Sequence, residues 1–275
     1  MTEPSRASEP QDGPAYFGLE VRYAREHAGK TQKDLAEATL YQVPYVSKVE
    51  NGKQLGSESF AAACDRFFRT SGYFSRLRDR ICERGHPAWF VPYLKLEREA
   101  ATICDYSNAF IMGILQTPEY AEAVFRAAHP RETAEDIKRR VEARLQRRQV
   151  MEAPNPPLLW VILHESILRT VVGSTDVMRG QLRHLLNAAE SPHVVLQVLP
   201  FRAGAPTSHL PFIVLTQHDG QQVLYVESPQ IGGQVHDSAT DVAEARAAYD
   251  RLRASALSAD DSLALIREVM EAYVP

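Results

Sequence analysis

The hydrogen-bonding side chains with the clearest pattern around them are those of Ser47 and Lys48, in the segment Val43–Gly52. Val46 and Val49 recur there at the spacing of one helix face, so we expect both valines to be buried. The Ser47 hydroxyl and the Lys48 ammonium group then lie on or near the opposite face. The chemistry available to them is hydrogen bonding to a bound partner.

A second short helix is predicted just before this segment. Thr31 is placed to cap it, and Leu35 and Ala36 are expected to face inward. Thr39–Gln42 forms the connecting turn, and Gly52 supplies a left-handed stop after the second helix. Two short helices joined by a tight turn form a helix-turn-helix.

The pattern T-Q-x-x-L-A, then nine residues, then V-S-K-V-E-N-G-K resembles the phage-repressor or XRE class of DNA-binding domains. The resemblance implies that the second helix lies in the major groove with its first residues on base edges. Lys48 could then donate to guanine O6 and N7, and Val43 could touch a thymine methyl group. The residues implied in DNA binding are Gln32, Gln42, Val43, Pro44, Tyr45, Ser47, Lys48, Asn51 and Lys53. Of these, Gln32, Asn51 and Lys53 resemble phosphate contacts, and Tyr45 either packs or stacks.

The segment departs from this class at Leu40, where such domains usually carry glycine. Leucine is penalised at positive φ, so we expect a rearranged turn. Pro44 is acceptable because it falls in the first helical turn. Tyr16–Gly56 holds six basic and five acidic residues, too small an excess for tight DNA binding by a monomer. We therefore expect a homodimer that reads two half-sites.

The whole chain has 275 residues and a formal net charge of −4, so any DNA-binding charge must be local. Three cysteines without C-x-x-C spacing indicate neither a disulfide framework nor a zinc site, and no cofactor is predicted. The sequence has no apolar leader and no run long enough to span a membrane, so we expect a cytoplasmic protein with no membrane partner.

The predicted organisation is a disordered tail over residues 1–14, a helical domain over 15–85 and an α+β domain over 86–275. Five short helices are expected in the helical domain, and helical periodicity continues from His86 to Ala128. The fold class is therefore an all-α helix-turn-helix domain followed by an α+β domain with a small, largely antiparallel sheet. Its predicted strands are Leu158–Leu163, Val194–Leu199, Phe212–Thr216 and Gln222–Glu227, with a hairpin turn at Gln217–Gly220.

Residues 89–227 resemble the C-terminal domain of actinobacterial WhiJ-like, antitoxin-like transcriptional regulators. Among the matching segments are Gly113–Ala121 (GILQTPEYA), Val195–Pro200 and Val223–Glu227. Met112 is a departure, because that family usually has proline before this first segment. The resemblance implies developmental or related regulation and a small acidic protein or a small-molecule ligand as a partner.

The candidate partner or ligand residues of this domain are Arg144, Arg148, Glu165, Tyr225 and Glu227. Glu165 and Glu227 end two predicted strands, and Tyr225 shares a face with Glu227, which allows either a polar pocket or a solvated sheet face. Arginines at helical spacing could meet an acidic partner or phosphate, or could form surface salt bridges with neighbouring glutamates. These arginines are Arg140, Arg144, Arg147 and Arg148, and the glutamates are Glu135, Glu142 and Glu152.

An enzyme is not predicted. His164-Glu165 lacks the second histidine of a zinc helix, and no nucleophile-elbow or phosphate-loop pattern occurs. The sequence therefore predicts a sequence-specific transcriptional regulator controlled through its C-terminal domain. The alternative is an antitoxin-like protein that sequesters a small partner and uses DNA binding for autoregulation.

Overall fold

A computed structural model describes residues 13–83, 86–228 and 232–273. The chain divides into two compact units, residues 1–84 and 85–275. Of the tail predicted over residues 1–14, residues 1–12 lie outside the described part. Gly13 and Pro14, which the sequence placed in the tail, begin the first helix.

The first unit consists of short helices, and their connections fall at the breaks that the sequence predicted. Within the described residues there are five, as expected. They are α1 (Gly13–His27), α2 (Gln32–Thr39), α3 (Val43–Glu50), α4 (Glu58–Phe68) and α5 (Tyr73–Glu83).

The local signals around α2 and α3 act as predicted. Thr31 caps α2 in a capping box, in which the Asp34 amide donates to its hydroxyl at 3.2 Å and its own amide donates to the Asp34 carboxylate at 2.8 Å. Pro44 lies in the first turn of α3, and Gly52 has a φ of 67° just after it. Both helices therefore begin where the sequence placed them, and α2 runs one residue further than expected, through Thr39.

The turn between α2 and α3 is not rearranged, contrary to our expectation. Leu40 ends α2 with φ 61° and ψ 30°, in the left-handed conformation that the class usually gives to glycine. Its side chain is 93% exposed. The turn keeps its geometry because the backbone of Leu40 adopts the left-handed conformation that the turn requires.

Glycine is required where α1 crosses α3. A side chain at Gly18 would come within 2.1 Å of the Val49 carbonyl oxygen. This close approach brings Phe17 and Val21 of α1 into the core that contains Val46. The α1–α3 contact thus fixes the buried face of α3.

Replacing Leu40 with glycine should stabilise the first unit by about 0.5–1 kcal/mol, because glycine adopts the left-handed conformation without strain. Leu40→Ala keeps the strained Cβ and should change stability by less than about 0.5 kcal/mol. Both tryptophans, Trp89 and Trp160, lie in the second unit. A urea transition that circular dichroism detects and tryptophan fluorescence does not detect therefore belongs to the first unit. An unchanged transition in Leu40→Gly would contradict the strain.

The second unit is built on a six-stranded mixed sheet with the order β3-β2-β1-β4-β5-β6. The β1, β2 and β3 strands are parallel, and β4, β5 and β6 continue the sheet in antiparallel pairings. The prediction of a small, largely antiparallel sheet was therefore wrong. The strands are β1 (Ala100–Ser107), β2 (Leu158–His164), β3 (Val194–Leu199), β4 (Phe212–Gln217), β5 (Gln222–Ser228) and β6 (Gly232–His236).

The error arises from β1 and β6, which the sequence did not predict. Ala100–Ser107 was assigned to a helical region, yet it is the strand on which the parallel and antiparallel halves meet. A central strand buried on both faces lacks the polar alternation that identifies a strand. The hairpin predicted at Gln217–Gly220 is confirmed, with Gly220 at a φ of 87° between β4 and β5.

Helices cover both faces of this sheet. Ile103 and Val161 face a core formed with α6, α7 and α10, whereas Cys104 and Tyr106 face α11. The helix α12 closes the outer edge of β3, where the Val198 amide donates to the Ser262 hydroxyl at 2.9 Å. The helices are α6 (Val91–Glu99), α7 (Pro118–Ala128), α8 (Ala134–Gln146), α9 (Glu165–Arg169), α10 (Thr175–Ala188), α11 (Ala239–Ser255) and α12 (Ala259–Ala272).

Asp105 places a carboxyl group in the interior, at the middle of β1. It is 3% exposed, and the Ser107 hydroxyl donates to it at 2.6 Å. The nearby Arg147 guanidinium is instead engaged by Glu97. Burial raises the pKa of Asp105 to about 7, so the folded unit holds this proton to a higher pH than the unfolded chain does.

This proton predicts a pH-dependent stability. The free energy of unfolding should fall as pH rises from about 4, the ordinary aspartate pKa, to about 7. Asp105→Asn keeps an acceptor for Ser107 without the charge, so at pH 8 it should be more stable than the wild type by roughly 2 kcal/mol or more, and at pH 4.5 nearly equal to it. Tryptophan fluorescence in urea measures both, with the exposed Asp237→Asn as control. An equal difference at the two pH values would contradict this prediction.

Candidate nucleic-acid interface

The helix α3 has one buried and one exposed face, as a reading helix needs. Val46, Val49 and Glu50 are buried. The exposed side chains cluster at the amino end of α3 and one turn further on. They are Gln42, Val43, Pro44 and Lys48, and Ser47 is half-buried beside them.

Tyr45 is half-buried and packs against the core of the first unit. Its ring stacks on Tyr41 with a centroid distance of 4.4 Å and meets Phe60 edge-on at 5.3 Å. Its hydroxyl accepts from the Ser57 amide at 2.8 Å. The structure thus uses Tyr45 to attach α3 to the start of α4, and not as an exposed contact.

Ser47 and Asn51 are joined at the carboxyl end of α3. The Asn51 side-chain amide donates to the Ser47 carbonyl oxygen at 2.7 Å and lies 3.3 Å from its hydroxyl oxygen. The Asn51 backbone amide donates to the same carbonyl oxygen at 3.1 Å, so the side chain adds a second donor there. The Ser47 hydroxyl keeps its proton available for a further acceptor.

Glu50 is the buried charge that holds α1, α2 and α3 together. Its carboxylate accepts from the Arg25 guanidinium at 2.6 and 2.9 Å and from the Gln32 amide at 2.8 Å. Glu50 is 6% exposed. The hydrogen bond to Glu50 raises the pKa of Arg25 above its usual value, against the effect of burial. Gln32, predicted as a phosphate contact, thus has its side-chain amide oriented by Glu50.

Two cations stand free for a polyanion on this side of the unit. Lys48 and Lys53 are exposed, and neither forms an ion pair with any other described residue. Of the arginines of α1, Arg22 pairs with Glu26 at 2.9 Å and Arg25 pairs with Glu50 at 2.6 Å. Free lysine ammonium groups are the usual contacts to phosphate and to guanine.

Two of the four arginines predicted at helical spacing, Arg140 and Arg147, are paired with glutamates. Arg147 donates to Glu97 at 2.6 and 2.9 Å, and Tyr93 donates to the same carboxylate at 2.5 Å. Burial lowers the pKa of Arg147, but the charge of Glu97 outweighs it and the net shift is upward. Arg140 bonds Glu132 at 2.6 and 2.7 Å. The predicted salt-bridge partners Glu135, Glu142 and Glu152 are therefore not those of Arg140 and Arg147.

Arg144, a candidate ligand residue, supports the Gly113–Ala121 segment. It donates to the Gln116 side-chain oxygen at 2.9 Å and lies over the Phe125 ring at 3.9 Å. Burial lowers its pKa to about 10. Arg148 is half-buried, and its Nε and Nη2 atoms find no hydrogen-bond acceptor among the described residues. The structure does not bring these two arginines to one open site.

Of the three other candidates in the second unit, Tyr225 and Glu227 are in contact, whereas Glu165 has different partners. Glu165 begins α9, where its carboxylate accepts from Arg169 at 2.8 Å and from the Phe201 amide at 2.8 Å. Tyr225 is buried, with its ring 4.3 Å from that of Tyr93. Glu227 is exposed and accepts from the Tyr225 hydroxyl at 3.3 Å. Neither alternative that the sequence left open, a polar pocket or a solvated sheet face, describes Tyr225, which packs against protein side chains.

Glu165 borders an open groove of about 490 Å³ beside α12. Its lining combines apolar and charged side chains: Glu165, Pro200, Arg202, Leu257, Asp261, Ala264, Leu265 and Glu268. The volume lies within the range of small-molecule sites. No group of three or more metal-ligating side chains occurs in the described ranges.

Sequence reasoning did not identify the buried pairs Arg25–Glu50 and Arg147–Glu97. Glu50 was counted only among surface charges, although its position directly after the buried Val49 was a usable signal. Arg25 and Arg147 are separated from their partners by 25 and 50 residues. Pairing over such distances cannot be read from helical spacing.

The geometry of the first unit is that of a helix-turn-helix DNA-binding domain, and residues 17–73 match the family description "Helix-turn-helix domain". Residues 90–268 match "Domain of unknown function (DUF5753)". That match spans more than half of the chain, which therefore belongs to the DUF5753 family. Comparison with curated proteins and with solved structures gives no match. Across the ranges that the structure describes, no helix is both long and apolar enough to cross a membrane.

Removing the Glu50 carboxylate should destabilise the first unit by about 3–5 kcal/mol, because Glu50→Ala leaves the Arg25 guanidinium buried without its partner. The control is Glu37→Ala, which removes an exposed ion pair with Lys33 and should change stability by less than about 1 kcal/mol. Urea unfolding by circular dichroism measures both. Equal effects of the two substitutions would refute the role given to Glu50.

Proposed function

We propose that this protein is a sequence-specific transcriptional regulator that reads the major groove with α3. The observation that carries the proposal is the division of α3 into a face fixed by Val49 and Glu50 and an exposed face that ends in Lys48. In helix-turn-helix domains the amino end of this helix meets base edges. The implied base-contacting residues are Gln42, Val43, Pro44, Ser47 and Lys48.

The remaining contacts in this proposal set the position of the domain on DNA. Lys53 and Asn51 follow α3, and Gln32 begins α2, so all three can meet phosphates that flank the groove. The small charge excess of the first unit supports a homodimer on two half-sites. Half-sites one helical turn apart would suit such a dimer.

The second unit is proposed to be regulatory, not catalytic. Its groove beside α12 is large enough for a small molecule or the side chains of a small protein partner. Glu165 lines that groove, while Arg144 and Tyr225 support the interior. The proposal therefore keeps Glu165 as a candidate ligand contact. The DNA-binding experiment below distinguishes this function from sequestration of a partner as the main task.

Fluorescence anisotropy on duplex DNA from the region upstream of this protein's own coding sequence tests the proposal. Lys48→Ala should weaken binding about tenfold or more, since a good base contact contributes roughly 1–3 kcal/mol. The control is Lys138→Ala, which removes an exposed lysine of the second unit and should have no effect. Wild-type binding should weaken steeply between 50 and about 200 mM salt.

The pattern of loss separates the possible roles of Lys48. Loss of preference at one base pair would identify a base contact, whereas uniformly weaker binding with a smaller salt dependence would identify a phosphate contact. Two results together would refute the proposal. The wild type would bind the upstream duplex no more tightly than scrambled DNA, and it would select no sequence from a random-sequence pool. These results would leave sequestration as the better account.

A further inference from the structure

Leu40 combines two features that are unfavourable in an isolated domain. Its left-handed conformation costs a branched residue roughly 1–2 kcal/mol. Its side chain is 93% exposed. Arg69 is the other non-glycine residue with positive φ in the described ranges, but its charged side chain is stable in water. Glycine at position 40 would remove both penalties, so the fold itself does not require leucine there.

Leu40 precedes the two exposed apolar residues at the amino end of α3 by three and four positions. The Tyr41 ring packs on Tyr45, whereas Val43 is 40% exposed and Pro44 is also exposed. The backbone N–H of Leu40 is bonded to the Glu37 carbonyl oxygen at 3.4 Å, which fixes its position relative to α2. Leu40, Val43 and Pro44 thus form an exposed apolar edge at the amino end of α3.

The size of this edge favours DNA over a protein as its occupant. A stable protein interface buries about 800 Å² on each partner, far more than three side chains provide. The apolar group that base edges present in the major groove is the thymine C5-methyl group. Strained residues persist where a bound partner makes use of them.

We propose that Leu40 is a specificity-determining residue, which contacts a thymine methyl group at the edge of the site read by the amino end of α3. The contact selects thymine over cytosine at that position, since cytosine has no methyl group there. This inference rests on the proposed DNA-reading function and adds a contact outside α3 itself.

A double-mutant cycle between the protein and the DNA tests the contact. The probe is a duplex that the wild-type chain selects from a random-sequence pool, with each thymine replaced in turn by deoxyuridine, which lacks only the methyl group. At one position we expect deoxyuridine to weaken wild-type binding about threefold to fivefold, the effect of one buried methyl group. Leu40→Ala should weaken binding to the thymine duplex by the same factor. The affinity of this variant should then not change when deoxyuridine replaces thymine at that position.

Leu40→Gly separates binding from folding. This variant should be more stable than the wild type and yet bind the thymine duplex as weakly as Leu40→Ala does. Wild-type affinity in both variants, or a deoxyuridine effect that is the same with and without the Leu40 side chain at every position, would overturn the proposal. Failure of the wild-type chain to select any sequence would refute the DNA-reading function itself, and the Leu40 contact with it.

Discussion

The carboxylate of Glu50 is the interaction on which the first unit depends. It ends the candidate reading helix, and its oxygens accept from Arg25 on α1 and Gln32 on α2. A buried carboxylate is tolerated only when it is paired and hydrogen-bonded, so three helices must converge on this residue. With Glu50 turned inward, the helical period places Val46 and Val49 inside and leaves Lys48 facing out. Val43 lies two turns before Glu50 and is exposed at the amino end of the helix.

The second unit contains a similar arrangement around a different carboxylate. Glu97 is 2% exposed, and its carboxylate accepts from Arg147 and Tyr93.

The Gly113–Ala121 segment is held by neighbouring polar side chains. Gln181 accepts from the Thr117 amide and donates to the Leu115 carbonyl oxygen, each at 2.7 Å. This segment, which carries the resemblance to a family of regulators, therefore has a structural role in fixing a buried turn.

The sequence predicted the first unit well because its signals are local. A capping box at Thr31, an early proline at Pro44 and a left-handed Gly52 each act within one turn of helix. The same reasoning expected Leu40 to distort its turn, whereas the helices on both sides impose the left-handed conformation on it. Local propensity is overridden where neighbouring elements fix the backbone.

The second unit was predicted less well because its organisation depends on distant pairings. Ala100–Ser107 pairs with β2 and β4, which begin more than 50 and 100 residues later. Buried on both faces, it lacks the alternation that identified β4 and β5. The candidate site residues divide in the same way: exposed Lys48 could be placed from helical periodicity, but the packing of Tyr45 and Tyr225 depends on side chains brought in from other elements.

The central claim is that the exposed face of α3 is the surface that meets DNA. The most direct measurement is a titration of the ¹⁵N-labelled full chain with the selected duplex, followed by amide chemical shifts. The account predicts that the largest shifts fall on Leu40–Lys53 and the first turn of α2, while the amides of β1 and β2 in the second unit do not move. Shifts confined to the second unit, or to α4 and α5, would contradict it.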